Sequence, residues 1–97
     1  MEDLRFEWDE SKNRTNQKKH GISFEEARTV FLDENARLIA DPDHSGKEER
    51  FILLGLSIRL RMLVVCHGYR ESDKVIRLIS ARKATAPERR EYMRWLS

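Results

Sequence analysis

Hydrophobic and polar positions along the chain change period twice, and the changes divide it into elements. Asp9 follows Trp8 as an N-cap, polar residues run through Lys19, and Gly21 supplies a left-handed stop, so the spacing predicts a mostly solvent-facing first helix. A capping box, Ser23-Phe24-Glu25-Glu26, opens a second helix in which Phe24, Ala27, Val30 and Phe31 recur at helical spacing and form one apolar face for a sheet. Alternation then takes over. Ala36 to Ala40 reads as a short strand, Asp41-Pro42-Asp43-His44-Ser45-Gly46 as a turn-rich loop, and Phe51 to Ser57 as a second strand, with Arg59-Leu60-Arg61 turning into a third. Met62 to His67 and Val75 to Ala81 are apolar at both parities, as central strands covered on two faces are, and Gly68 to Lys74 fits a hairpin connection. Thr85 and Glu88 make a second capping box, Pro87 is tolerated in a first helical turn, and Tyr92, Trp95 and Leu96 form the buried stripe of a last helix.

The order is two helices, four strands and a final helix, which predicts an α+β layer fold: an antiparallel four-stranded sheet with helices on one side and the other face free. With 97 residues the chain is one domain, residues 1–97, with a single core. Hydrophobic residues at 39% suffice to fold it, and charged residues at 37% leave an unusually charged surface. No apolar run approaches the roughly 18 residues of a membrane span, and Met1-Glu2-Asp3 lacks the basic, then apolar, start of a signal peptide. The expectation is a cytoplasmic protein with no membrane contact. The lone Cys66, inside Leu63-Val64-Val65-Cys66, packs as a small apolar group.

Charge changes the picture. Residues 59–97 hold ten Lys and Arg against four Asp and Glu, and residues 1–58 hold nine against thirteen, so a net charge of +2 conceals a basic half and an acidic half. That polarity points to a polyanion site carried on the sheet.

The ordered set Trp8-Asp9-Glu10-Ser11-Lys12, Asn16, Lys19-His20-Gly21, Ser23-Phe24-Glu25-Glu26-Ala27 and Val30-Phe31 resembles BrnT-type toxins. So do Asp41-Pro42-Asp43-His44-Ser45, Glu48-Glu49-Arg50, Gly55, Ile79-Ser80-Ala81-Arg82-Lys83-Ala84 and Glu88-Arg89 with Tyr92. The resemblance implies a RelE-like ribonuclease fold and the toxin of a type II toxin-antitoxin pair. It implies an endoribonuclease that arrests translation by cutting RNA, and a BrnA-type antitoxin that covers the basic face and contacts operator DNA on the toxin's behalf. Two other classes stay open: a non-catalytic nucleic-acid-binding module, and a protein-interaction subunit whose basic face holds an acidic antitoxin segment.

Metal-free RNA cleavage needs a base for the 2′-hydroxyl proton, cations for the phosphorane and an acid for the leaving 5′-oxygen. Arginine suits the second task, because its planar fork holds two phosphate oxygens and stays charged. Arg77 interrupts an apolar strand, and Arg82 and Arg70 lie at or beyond strand ends. Arg77 and Arg82 are five residues apart and share a face only if the strand ends or bulges near Ala81. The alternative for Arg77 is a structural ion pair with an acidic residue such as Glu49. Lys83, Arg89 and Arg50 are the candidate RNA phosphate contacts, while Arg90 and Arg94 with Glu88 and Glu91 read as an ordinary solvated helix face.

For acid and base, Lys19 and His20 at the end of the first helix form one candidate pair, with a C-cap bonding helix carbonyls as the competing role of His20. His44 reads as a turn residue and His67 as a satisfied interior histidine, and Glu49 is an alternative base if burial raises its pKa. The three histidines and Cys66 lack metal-ligand spacing, and Asp41 with Asp43 is a weak magnesium signal, so no metal and no cofactor are expected and activity should survive EDTA.

Overall fold

The computed structural model describes residues 4–40, 49–70 and 74–96. Strand β1 (Arg5–Glu7) precedes helix α1 (Glu10–His20), the single turn α2 (Phe24–Ala27) and a 3-10 stretch at Arg28–Leu32. Strands β2 (Arg37–Ala40), β3 (Phe51–Leu56), β4 (Met62–Arg70) and β5 (Val75–Lys83) follow, and α3 (Ala86–Leu96) ends the fold. The sheet order is β1-β5-β4-β3-β2, with β1 parallel to β5 and the other pairs antiparallel.

The sheet is therefore five-stranded and mixed, in place of the expected four antiparallel strands. The added strand is only three residues long, too short for alternation in Arg5-Phe6-Glu7 to stand out. The second helix is likewise shorter than its spacing suggested. Ser23 Oγ accepts the Glu26 N–H at 3.0 Å, but the Glu26 side chain bonds Arg61 and Ser57, so only half of the capping box forms there. The box at α3 is complete: Thr85 N–H donates to Glu88 Oε1 at 2.8 Å and Glu88 N–H to Thr85 Oγ1 at 3.3 Å. The turn-rich loop and His44 lie outside the described residues. The connection expected from Gly68 to Lys74 is shorter, because β4 runs on through Gly68, Tyr69 and Arg70, which pair with Arg77, Ile76 and Val75, and residues 71–73 lie outside the described residues.

Both faces of the sheet carry helix. On one, Ile22, Phe24, Ala27 and Val30 pack on Leu53, Leu63, Val65, Ile76, Leu78 and Ala81. On the other, Tyr92 of α3 packs with Leu54, Val64 and Ala84. The expectation of a wholly free second face is corrected by these contacts. Tyr92 is 1% exposed, whereas Trp95 and Leu96 are 59% and 45% exposed, so the predicted buried stripe of α3 reduces to one residue. Trp95 instead lies under the Arg37 guanidinium, 4.2 Å from the ring centroid.

Helix α1 has no apolar stripe and docks through asparagines. Asn13 and Asn16 are its buried residues. β1 pairs with β5 only as far as Arg77, so beyond that point this edge of β5 needs other partners. The Asn16 amide fills the role of a neighbouring strand: its Oδ1 accepts the Ala81 N–H at 3.1 Å and its Nδ2 donates to the Ala81 carbonyl at 2.8 Å and to the Ile22 carbonyl at 2.9 Å. Asn13 Oδ1 accepts the Phe24 N–H at 2.8 Å, fixing the start of α2.

Two carboxylates tie loops to the layers. Glu26 is buried and accepts from Ser57 Oγ and from two nitrogens of Arg61. The Arg61 guanidinium holds its carboxyl below the usual range although burial opposes this. The bonds brace the β3–β4 turn, where Leu60 sits at φ 62. Asp33 lies just before β2 and accepts the Leu56 N–H at 2.9 Å and the Tyr92 hydroxyl at 2.7 Å, bolting α3 to the opposite layer around the sheet edge. Burial works against the Asp33 charge, yet these donors keep its pKa below the ordinary value, and burial ahead of the Asp33 bond pushes Tyr92 up to about 12. Gly55 lies beneath this joint, and an added Cβ would stand 2.9 Å from both Ala36 Cβ and Asp33 Oδ2.

Asn16→Ala strands polar groups at Ala81 and Ile22 and is expected to cost roughly 2–4 kcal/mol in urea unfolding. A loss below about 1 kcal/mol would show that the clamp is dispensable. Gly55→Ala should lower stability by roughly 1–3 kcal/mol through overpacking, read as a drop in thermal midpoint with an unchanged fold by circular dichroism.

Candidate active site

The β4–β5 ladder contains one irregularity that decides which side chains meet. Cys66 pairs with Ser80 and the next residue, His67, with Leu78, so Ile79 is an extra residue in β5. A bulge of this kind shifts alternation by one. Ile76 and Leu78 face the α1–α2 side before it and Ala81 faces the same side after it, which turns Arg77 and Arg82 together toward the α3 side.

Among the described residues, helix α3 covers one end of that face and no other element packs on the rest. The partners of α3 are Leu54 and Val64, with Ile52, Leu56 and Met62 around them. The other end is the start of β5, the end of β4 and β1, where Gly68 pairs with Arg77, Arg70 with Val75, and Glu7 with Arg77. Glu7 therefore joins Arg70 and Arg77 on the open half. Its Oε1 lies 3.7 Å from Arg70 Nε and its Oε2 3.6 Å from Arg77 Nη1. These are ion pairs too long to be hydrogen bonds, and the glycine opposite Arg77 leaves the strand without a side chain there.

Arg82 sits differently. Its Nη1 and Nη2 donate to Glu88 Oε1 and Oε2 at 2.8 and 2.9 Å, a bidentate pair at the start of α3. Arg82 first, and the Thr85 N–H after it, hold the Glu88 carboxyl down at about 2 against the opposing effect of burial. The face thus carries one tightly bonded arginine and two loosely bonded ones.

The other candidates distribute around this strip. Arg77 pairs with Glu7, not Glu49. Glu49 and Arg50 are exposed and lead into β3, whose first residue, Phe51, is opposite His67, so they lie at the sheet end that carries Gly68 to Arg70. Lys83 is exposed and shares the α1–α2 side with its partner Leu63. Arg89 donates to the Ala84 carbonyl at 3.0 Å. Lys19 and His20 end α1, within a turn of Asn16, and so lie at the same edge of β5 as Arg82 and Lys83. The C-cap contact at this helix end is made by the Gly21 N–H, which donates to the Gln17 carbonyl at 2.8 Å.

His67 stays on the opposite side of the sheet. It is fully buried, with Phe31 at 4.9 Å and Tyr69 at 5.3 Å between ring centroids, and burial pushes its pKa below 6.5 while the Val65 carbonyl opposes the shift. Glu7 is the residue that sequence reasoning missed. Its signal was the alternation Leu4-Arg5-Phe6-Glu7-Trp8, which places two charged residues on one side of a segment too short to be read as a strand.

Fold and site together define a small α+β domain with a half-open, arginine-lined sheet face suited to a phosphate-bearing ligand. A family model matches residues 8–88, and the chain belongs to that family, described as "Ribonuclease toxin, BrnT, of type II toxin-antitoxin system". A similar solved structure is the 1.1 Å crystal structure of the Brucella abortus ribonuclease toxin BrnT, at 22% identity and a TM-score of 0.64 over 86% of this chain and 99% of that one. At that identity the likeness bears on the fold. No curated protein matches the chain significantly. Among the described residues no helix is long and apolar enough to cross a membrane.

Burial of neutral His67 makes stability depend on pH. Above 6.5 both folded and unfolded chains hold it neutral. As pH falls below that value the unfolded chain takes up the proton first, so stability is lost until the lower folded pKa is passed. The urea midpoint should fall between pH 7.5 and pH 5, and His67→Gln should flatten that decline. Parallel curves for the two proteins would contradict the assignment.

Proposed function

We propose that this toxin is a metal-independent endoribonuclease with a RelE-like fold, acting in the cytoplasm to arrest translation and neutralised by a BrnA-type antitoxin that also carries operator binding. One observation supports this above the others: the bulge at Ile79 turns Arg77 and Arg82 to the sheet face that also bears Arg70, on a chain whose family is that of ribonuclease toxins. Arg77 and Arg70, on adjacent strands, close on the scissile phosphate and neutralise the charge that builds on it during attack by the neighbouring 2′-hydroxyl. Arg82, held by Glu88, supplies fixed positive charge at the margin of the strip. Arg50 beyond one end and Arg89 beyond the other follow the flanking phosphates, whose contribution weakens with salt. Lys83, Lys19 and His20, at the edge of β5 and toward the other side of the sheet, stand outside this path. Glu49 is exposed at the rim, so the burial that would suit it to act as a base is missing.

The test is cleavage of end-labelled RNA in EDTA, with the product ends identified. Wild type should leave 2′,3′-cyclic phosphate ends, and Arg77→Ala should slow cleavage by about 100-fold or more while remaining folded. A requirement for added magnesium, or undiminished cleavage by Arg77→Ala, would contradict the mechanism.

A further inference from the structure

The proposed reaction lacks a proton acceptor at the strip, and the structure narrows the choice. The carboxylates bonded to groups on the α3 side of the sheet include Glu7, Glu88, Glu91 and Asp33, and Asp33 is occupied by the Leu56 N–H and the Tyr92 hydroxyl at the far edge. Glu88 is occupied by three hydrogen bonds from Arg82 and Thr85. Glu91 is paired with Arg37 and Arg94, away from the open half. His67 is sealed on the opposite side. Glu7 alone of these stands on the open half, with 37% of its side chain exposed, one oxygen toward Arg70 and the other toward Arg77.

We infer that Glu7 is the general base of the cleavage reaction. The assignment rests on the ribonuclease reading, and the geometry argues for it. The 2′-oxygen of a ribonucleotide lies next to the phosphorus that it attacks, so a base must stand beside the cations that grip the phosphate. Glu7 is within 4 Å of both candidate cations. Their contacts with it are about 0.8 Å longer than the charge-assisted bonds of Arg82 and Glu88, so phosphate oxygens can take over the two guanidinium edges without breaking a formed hydrogen bond. The carboxylate is then left facing the ribose. In the step, Glu7 accepts the 2′-hydroxyl proton, the bond from the 2′-oxygen to phosphorus forms, and the bond from phosphorus to the 5′-oxygen breaks. The 5′-oxygen leaves with a proton drawn from solvent, and Glu7 later releases its own proton to solvent. The products are a 2′,3′-cyclic phosphate and a 5′-hydroxyl, with no water, metal or redox partner consumed.

The experiment compares wild type with Glu7→Gln, which keeps the shape and loses the basicity. Single-turnover cleavage of a short RNA is followed in EDTA across pH, beside the affinity for an all-2′-deoxy oligonucleotide of the same sequence that cannot be cut. Glu7→Gln should lower the rate by about 100- to 10,000-fold and abolish the acid limb of the pH–rate profile. It should bind the uncut oligonucleotide as well as wild type or better, because an anion beside the phosphate site is gone. Glu7→Asp should recover part of the rate. If wild type cleaves and Glu7→Gln keeps its rate within about threefold, the base assignment fails and the ribonuclease reading stands. If Glu7→Gln loses affinity and rate in equal measure, Glu7 only organises the arginines and the assignment is likewise overturned. Absence of cleavage by wild type, alone and with ribosomes, overturns the ribonuclease reading itself.

Discussion

The open edge of β5 beyond Arg77 is the constraint around which this molecule is arranged. β1 stops there, the strand bulges two residues later, and Ala81 would present its N–H and carbonyl to no strand on that side. The Asn16 amide satisfies both groups from a helix that has almost no apolar surface with which to dock. One side chain thereby anchors α1, completes the ladder past the bulge and holds the register that turns Arg77 and Arg82 to the same side. A register slip would send one of these cations to the opposite face, so the chemistry proposed for the strip depends on a bond made on the far side of the strand.

Around that joint the charged residues divide by how firmly they are bonded. Glu26 with Arg61, and Glu88 with Arg82, are closed pairs whose oxygens and nitrogens are saturated by close contacts, and each fixes a turn or a helix start. The Arg70, Glu7 and Arg77 cluster is open in its bonding: no contact in it reaches hydrogen-bond distance, Arg70 is half exposed, and Arg77 keeps 26% of its side chain exposed. Closed pairs give stability and register. Open clusters retain charge and donors for a ligand. The low net charge follows from 19 basic residues against 17 acidic ones, and the contrast in bonding decides where guanidinium donors are left for a ligand.

Much of the fold was legible in the sequence because capping and periodicity are local. Asp9, Gly21, Thr85 with Glu88, and the apolar runs of β4 and β5 marked their elements correctly. What escaped was non-local. Arg5 to Glu7 forms a strand only because β5 offers it a parallel edge, and Glu26 abandons its capping role because Arg61 arrives from the distant β3–β4 turn. The face taken by α3 is likewise set by Asp33 receiving Tyr92, which no spacing within α3 encodes. For the site, residue type alone singled out the arginines, and the five-residue spacing of Arg77 and Arg82 posed the parity question that the bulge answers. Glu7 was hidden because its strand was.

The central claim is that RNA lies on the open half of the α3 side with its scissile phosphate between Arg70 and Arg77. The most direct measurement is a crystal structure of the toxin with an oligoribonucleotide carrying hydrogen in place of the 2′-hydroxyl at the scissile position. The account predicts a phosphate within hydrogen-bond distance of both guanidinium groups and the 2′ carbon of that nucleotide beside the Glu7 carboxylate. An oligonucleotide lying along Lys19 and Lys83 on the other side of the sheet, with Arg70 and Arg77 still paired to Glu7, would contradict it.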